Sequence, residues 1–207
     1  MWRSTPEFGT VRYLNATDAL PARPQRVIVA GTSGSGKTHL AARIGAELQI
    51  PHLEIDALHH GPGWTKRPTF EADVERFAQS PQWVTEWQYP TVRPLLAERA
   101  DLVVWLDLSL THVMWQVTRR TIGRALRREV LWNGNVEPPL WTILRDRDHI
   151  VRWAWRTHGQ TRERVAALAA QRPHLNVIHL GDRAEIERWV AGALARWARS
   201  NEERYHV

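Results

Sequence analysis

Eight residues constrain this chain more than any others. Gly31-Thr-Ser-Gly-Ser-Gly-Lys37-Thr38 fits the spacing G-x-x-x-x-G-K-S/T at every fixed position. Directly before it runs Val27-Ile-Val-Ala30, an apolar, β-branched run suited to a buried parallel strand. Directly after it, Leu40, Ala41, Ile44 and Leu48 recur at helical spacing across Thr38 to Leu48. Strand, glycine-rich turn and amphipathic helix in that order make a phosphate cradle. The glycines let successive backbone N–H groups converge on an anion, and the helix adds its positive N-terminal end. In such a loop Lys37 reaches the β- and γ-phosphates of a nucleotide and Thr38 ligates Mg²⁺. Gly31, Ser33, Gly34, Ser35, Gly36, Lys37, Thr38 and the adjoining His39 are therefore the expected nucleotide contacts. The plain alternative is a Gly/Ser turn ahead of a helix. The fixed spacing, the Lys-Thr pair and the flanking elements together weigh against it.

Further along, His52 to Ile55, Trp83-Val-Thr-Glu86, Leu102 to Leu106 and Leu175 to Leu180 read as strands. Helices are predicted over Phe70 to Gln79 with Thr69 as N-cap, from about Leu110 to Val130, over 141–157 and 160–171, and over Ala184 to Ala198. This alternation predicts about five parallel strands flanked by helices on both faces, an α/β architecture of three layers. At 207 residues the chain fits one domain on the rule of roughly 150 residues each. Residues 1–25 read as an extended lead-in and 26–200 as the domain. The first ten contain Glu7-Phe8-Gly9-Thr10, which two adjacent cloning sites would encode, and stay outside the functional reading. With 43% apolar residues and no Cys, disorder and a disulfide scaffold both fit poorly. Met1 to Thr10 has no apolar core of a signal peptide, and the most apolar stretch, Leu102 to Thr118, is interrupted by Asp107 and His112. A cytoplasmic protein without a membrane span is expected.

Nucleotide-binding chains differ in their second motif. A guanine-type N-K-x-D is missing, and Val103-Val-Trp-Leu-Asp107 is followed by Leu108 where a motor ATPase would carry an acid. Small-molecule phosphotransfer remains the leading class. It needs a group to orient or deprotonate the acceptor and carboxylate support for Mg²⁺. Three acids stand at predicted strand ends, Asp56, Glu86 and Asp107, where α/β sheets hold their ligands. An acid there can equally cap the next helix. Whether Glu86 or Asp107 serves the metal stays open at this level.

The order of phosphate loop, Ile50-Pro-His-Leu-Glu-Ile-Asp56, Pro62-Gly-Trp64 and Trp83-Val-Thr-Glu86 resembles the adenylate-kinase-like P-loop kinases. Within them it is most similar to the topology-modulation (FlaR-type) proteins. The resemblance implies a P-loop NTPase fold with an acceptor-side lobe over about 56–80, in which Asp56 faces the acceptor and Trp64 stacks on it. Where that group usually shows Asp-Gly after the third strand, this chain has Glu86-Trp87. Glu86 is one methylene longer and can still support Mg²⁺, while Trp87 crowds the acceptor's approach or stacks on it. Arg120-Thr-Ile-Gly123-Arg124 resembles the Arg-x-x-Gly-Arg that opens the lid of adenylate kinases, whose arginines pack on adenine and clamp phosphates. The implied lid spans about 119–158. A second set, Arg145, His149, Arg152 and Arg156, lines one helix face. The expected catalytic set is Lys37, Asp56, Glu86, Arg120, Arg124 and Arg152. Arg67 and Arg93 join Asp56, Trp64 and Trp87 on the acceptor side, and Thr38 with Glu86 is the expected metal pair.

Charge then takes its place in the argument. The net charge is +6, and 26 of the 28 basic residues are arginine, the two lysines being Lys37 and Lys66. An anionic partner follows from that balance. Nucleic acid is one such partner, but neither a helix-turn-helix signature nor an aromatic–basic interleaving supports it. Ten histidines raise a metal reading, yet only His59 and His60 are adjacent and no carboxylate or Cys spacing matches them. The expectation is ATP- and Mg²⁺-dependent phosphotransfer to a small-molecule acceptor. The alternative is a nucleotide-binding regulatory protein or ATPase with a basic surface that contacts nucleic acid.

Overall fold

Val27 and Val29 belong to one apolar core and Ile28 and Ala30 to another, all four fully buried. A strand covered by helices on both faces reads this way. In the computed structural model, which describes residues 12–127, 130, 132–135, 155, 157–172 and 175–197, this run is the centre of β2 (Arg26–Gly31). The other strands are β1 (Arg12–Leu14), β3 (His52–Leu53), β4 (Trp83–Glu86), β5 (Leu102–Leu106) and β6 (Asn176–Leu180). They form one parallel sheet in the order β1-β6-β5-β2-β4-β3.

The helices are α1 (Lys37–Leu48), α2 (Ile55–His59), α3 (Phe70–Ala78), α4 (Arg93–Arg99), α5 (Leu110–Arg127), α6 (Gln160–Gln171) and α7 (Arg183–Trp189). Leu40, Ala41, Ile44 and Leu48 of α1 pack with Trp189 and the wider π turn Val190–Leu194 over one sheet face. Phe70, Val74, Leu96, Ala97, Val165 and Leu168 bring α3, α4 and α6 onto the other. Three layers result, as the alternation of apolar runs predicts.

Six strands stand where about five are expected. The extra one is β1, within the stretch read as lead-in; it pairs with β6, Leu14 opposite Ile178. Three residues are too few to show an alternation. For the same reason α2 and α4, at five and seven residues, leave no helical period to read. Thr69 does hold the N-cap position of α3, but its hydroxyl donates to Asp73 Oδ2 at 2.8 Å instead of accepting a helix N–H. Apart from residues 155 and 157, the helix predicted over 141–157 lies outside the described residues, as do residues 1–11 and 198–200 of the domain outline. No helix among the described residues is long and apolar enough to cross a membrane.

The sheet's order places the phosphate loop. β2 sits between β4 and β5, with Val29 opposite Glu86 and Gly31 opposite Leu106. The loop that leaves β2 therefore opens between the carboxyl ends of two neighbours, the crevice at which parallel α/β sheets bind ligands. Ile44, fully buried between α1 and the sheet, holds that arrangement. Ile44→Ala is expected to cost about 2–5 kcal/mol in urea unfolding, the range for a truncated core aliphatic.

Candidate active site

The loop turns on two glycines. Gly34 and Gly36 have φ of +84° and +92°, a region that side chains rarely enter, and Gly36 is the N-cap of α1. At Gly34 a Cβ would also lie 2.8 Å from Val117 Cβ, so the loop rests directly on α5. Lys37, only 7% exposed, donates from Nζ to Thr32 O at 3.0 Å. Burial lowers its pKa to about 8; the carboxylates of Asp56 and Glu86 partly offset this, and Arg120 adds to it. Four of the expected catalytic residues thus share one electrostatic neighbourhood. Arg124 follows Arg120 one turn further along α5. Thr32 is tied far along the chain as well: its hydroxyl donates to His158 O at 3.3 Å, and the His158 ring meets Leu108 O at 2.9 Å.

Glu86, at the end of β4, is 1% exposed. Its Oε2 accepts the Ile55 N–H at 3.0 Å, which starts α2, while His52 Nε2 stands 3.5 Å from Oε1. Burial alone would push this carboxyl up. Hydrogen bonds from His52, from the Ile55 and Glu86 backbone and from the Thr38 hydroxyl outweigh it and hold the group below its ordinary value. Oε1 makes no full hydrogen bond. Asp107, the other candidate, is engaged elsewhere: its Oδ2 accepts from Arg162 at 2.7 Å and meets His179 Nε2 at 3.1 Å. Among the described residues no group of three or more His, Cys, Asp and Glu gathers to hold a metal.

Asp56, expected to face the acceptor, lies in the first turn of α2 and takes two donors on one oxygen. Gln88 Nε2 stands 2.7 Å and Tyr89 OH 2.5 Å from Oδ1. Around them His59 stacks on Tyr89 at 3.9 Å between centroids, and His60 meets Trp64 edge-on at 5.1 Å. Trp64 therefore belongs to this cluster. Trp87 does not open toward it: its Nε1–H donates to Arg93 O at 3.0 Å and the Arg93 guanidinium lies 5.9 Å over its ring. Arg67 turns to Asp73 at 3.2 Å, and Lys66 to Glu71 at 2.5 Å. Burial, then Arg164, lowers the pKa of Arg93.

Two contributors escape sequence reading. Tyr89 sits between predicted elements, and only the left-handed φ of 60° at a non-glycine residue marks it. Asn135 ends an Asn133-Gly134-Asn135 run, whose residue types signal a turn and not a site. It is buried, accepts the Trp64 N–H at 3.0 Å and donates to Gly61 O and Trp132 O, each at 2.9 Å. Asn133 reaches His60 O as well. The turn Trp132–Gly134 thereby docks against the His60–Trp64 stretch. Arg152, with Arg145, His149 and Arg156, lies outside the described residues. An open cavity of about 540 Å³ lined by Arg26, Glu98, Arg99, Ala100, Asp101 and Asn176 lies at the amino edge of the sheet, away from this chemistry.

Two outcomes follow from this geometry. Lys37 titrates at about 8 when folded against 10.5 when unfolded, so between those values the unfolded chain holds more protons and stability rises with pH. Lys37→Met is therefore expected to be more stable than the parent at pH 7, an advantage that shrinks toward pH 10.5, read from urea midpoints. Asn135→Ala, which strands Trp64 N–H and Gly61 O, is expected to cost about 1–3 kcal/mol in the same assay. Neither a protein-family model nor a curated protein matches the sequence. Among solved structures the chain is similar to a gluconokinase from Sinorhizobium meliloti 1021, at 22% identity and a TM-score of 0.50 over 89% of this chain and 99% of that one. Shikimate kinases from Bacteroides thetaiotaomicron (15%, TM-score 0.42, over 89% and 99%) and Acinetobacter baumannii, the latter in complex with shikimate (16%, 0.43, over 87% and 92%), also align. What the chain shares with the gluconokinase is the fold, an α/β P-loop fold with a single parallel sheet.

Proposed function

We propose that this chain is a kinase that transfers the γ-phosphoryl group of ATP to a hydroxyl or phosphate of a small-molecule acceptor. The observation that carries this reading is the buried Lys37 ammonium in a phosphate loop, with the carboxylates of Asp56 and Glu86 acting on it from two neighbouring elements. Within the P-loop kinases, the order of the acceptor-side motifs favours the topology-modulation (FlaR-type) group as the nearest kin.

Lys37, with Arg120 and Arg124 of α5, neutralises charge that spreads over the transferring group. For a hydroxyl acceptor, Asp56 takes the proton as the acceptor oxygen bonds to phosphorus, and the bond to the β-phosphate oxygen breaks with its electron pair leaving on ADP. Thr38 and Glu86 fit a Mg²⁺ ion, which binds few protein ligands and prefers oxygen. The Thr38 hydroxyl is among the groups that hold the Glu86 carboxyl below its ordinary value, and Glu86 Oε1 is buried without a hydrogen-bond partner. When bound, Mg²⁺ would supply charge neutralisation at the phosphates. Glu86 is preferred to Asp107 because Arg162 and His179 already engage the latter. Of the other expected acceptor contacts, Trp64 lies in the aromatic cluster around Tyr89 and His60, while Arg67 and Trp87 turn their side chains to Asp73 and Arg93.

Thermal stability with and without a non-hydrolysable ATP analogue and Mg²⁺ tests nucleotide binding. At a hundredfold excess over Kd the parent is expected to gain about 2.7 kcal/mol, and Lys37→Met nothing. Asp56→Asn is expected to keep that gain and to lose about 10²- to 10⁴-fold in acceptor-dependent ADP release. Wild-type rates in both variants would remove the kinase reading. DNA binding that falls steeply with salt would then favour the regulatory alternative.

A further inference from the structure

Tyr89 carries more constraint than a loop residue needs. Its backbone is left-handed, a conformation that costs a non-glycine residue about 1–3 kcal/mol and persists only where the surroundings impose it. Its carbonyl accepts the Val92 and Arg93 N–H groups that open α4, which accounts for the turn. The side chain is held separately. The ring stacks on His59 at 3.9 Å and 12°, and meets Phe70 edge-on at 5.2 Å. The hydroxyl lies 2.5 Å from Asp56 Oδ1 and 3.2 Å from His60 Nε2.

A phenol has one proton to give. The short bond to a carboxylate takes it, so the oxygen must accept from His60, whose proton then sits on Nε2. His60 Nδ1 is left as an acceptor, and His59 Nδ1 faces it at 3.5 Å. Burial first, then His60, holds His59 below its ordinary pKa. The chain of donors runs from His59 through His60 and Tyr89 to Asp56. It ends on Oδ1, which Gln88 also occupies, and Oδ2 accepts no hydrogen bond among the described residues.

We infer that Tyr89, backed by His60, is a positioning residue for Asp56: it pins one carboxylate oxygen so that the other alone meets the acceptor. The inference rests on the reading that Asp56 faces the acceptor of a phosphotransfer. Donors aimed at Oδ1 fix the carboxylate plane and favour its charged form, which is what a proton acceptor requires. The His60 ring is in turn stacked on Trp132 at 5.9 Å and 22°, so the docked turn buttresses the same chain.

Tyr89→Phe keeps the ring contacts and the turn and removes only the hydroxyl. ADP release from MgATP is measured with water, gluconate and shikimate as acceptor probes. With any probe that turns over, kcat is expected to fall about ten- to a hundredfold with KM for ATP unchanged, the loss typical of a misaligned catalytic group. His60→Gln, whose amide can still donate to the phenol, is expected to keep most of the parent rate, and His60→Leu to match Tyr89→Phe. A parental kcat in Tyr89→Phe alongside an inactive Asp56→Asn would overturn the inference and leave the kinase reading standing. Parental rates in both would overturn the role of Asp56 on which the inference rests and leave phosphotransfer itself standing. A second measurement needs no acceptor. Burial, then Asp56, pushes the Tyr89 phenol well above its ordinary value, with Glu86 adding to it and His59 and His60 packed beside it. The chain has three tyrosines, so ultraviolet titration is expected to show one ionising last in the parent and moving down in Asp56→Asn. A titration that Asp56→Asn leaves unchanged would sink the pairing.

Discussion

A charge that the fold keeps nearly out of water organises this molecule. Placing the Lys37 ammonium at 7% exposure is unfavourable in itself, and among the described residues only Thr32 O offers it a direct hydrogen bond. The compensation comes from carboxylates one layer away, Asp56 on α2 and Glu86 at the end of β4. Those positions exist because β2 is central and its neighbours end beside the loop. The sheet order, the strand ends and the acids are thus one solution to one electrostatic problem. A triphosphate entering the same place would supply the missing counter-charge from outside.

Glu86 links the two halves of that solution. One oxygen starts α2 by accepting the Ile55 N–H, one residue before Asp56. The same carboxylate acts on Lys37 at the start of α1 and partly offsets the burial of its charge. One buried group thus bears on both the phosphate loop and the first turn of α2. A longer side chain than aspartate suits that span, which gives the Glu86-Trp87 departure a structural sense. Trp87 completes it by turning away to bind Arg93 O.

Legibility in the sequence follows the strength of the local pattern. The phosphate loop, the buried strands and the long helices show because glycine spacing and apolar periodicity repeat over many residues. β1 does not show, because three edge residues carry no period. Asp56, Glu86 and Lys37 are readable as residue types at strand and loop ends, and the structure brings them together. Arg67 and Trp87 are readable by type as well, yet their side chains turn to Asp73 and Arg93. That choice depends on partners distant in space or hidden in an irregular loop. Tyr89 and Asn135 escape for the complementary reason: their work is done by three-dimensional hydrogen bonding, which composition and spacing do not encode.

The Asn135 contacts bear on more than local stability. The chain that leaves α5 is fastened beside α2 through Asn135 and Gly61, and the chain that returns to α6 is fastened to the phosphate loop through His158 and Thr32. Thermodynamic linkage makes any coupling mutual: if a bound acceptor strengthens nucleotide affinity by some factor, nucleotide strengthens acceptor affinity by the same factor. For a molecule of the proposed function, any coupling between its two substrates is therefore read equally well from either one.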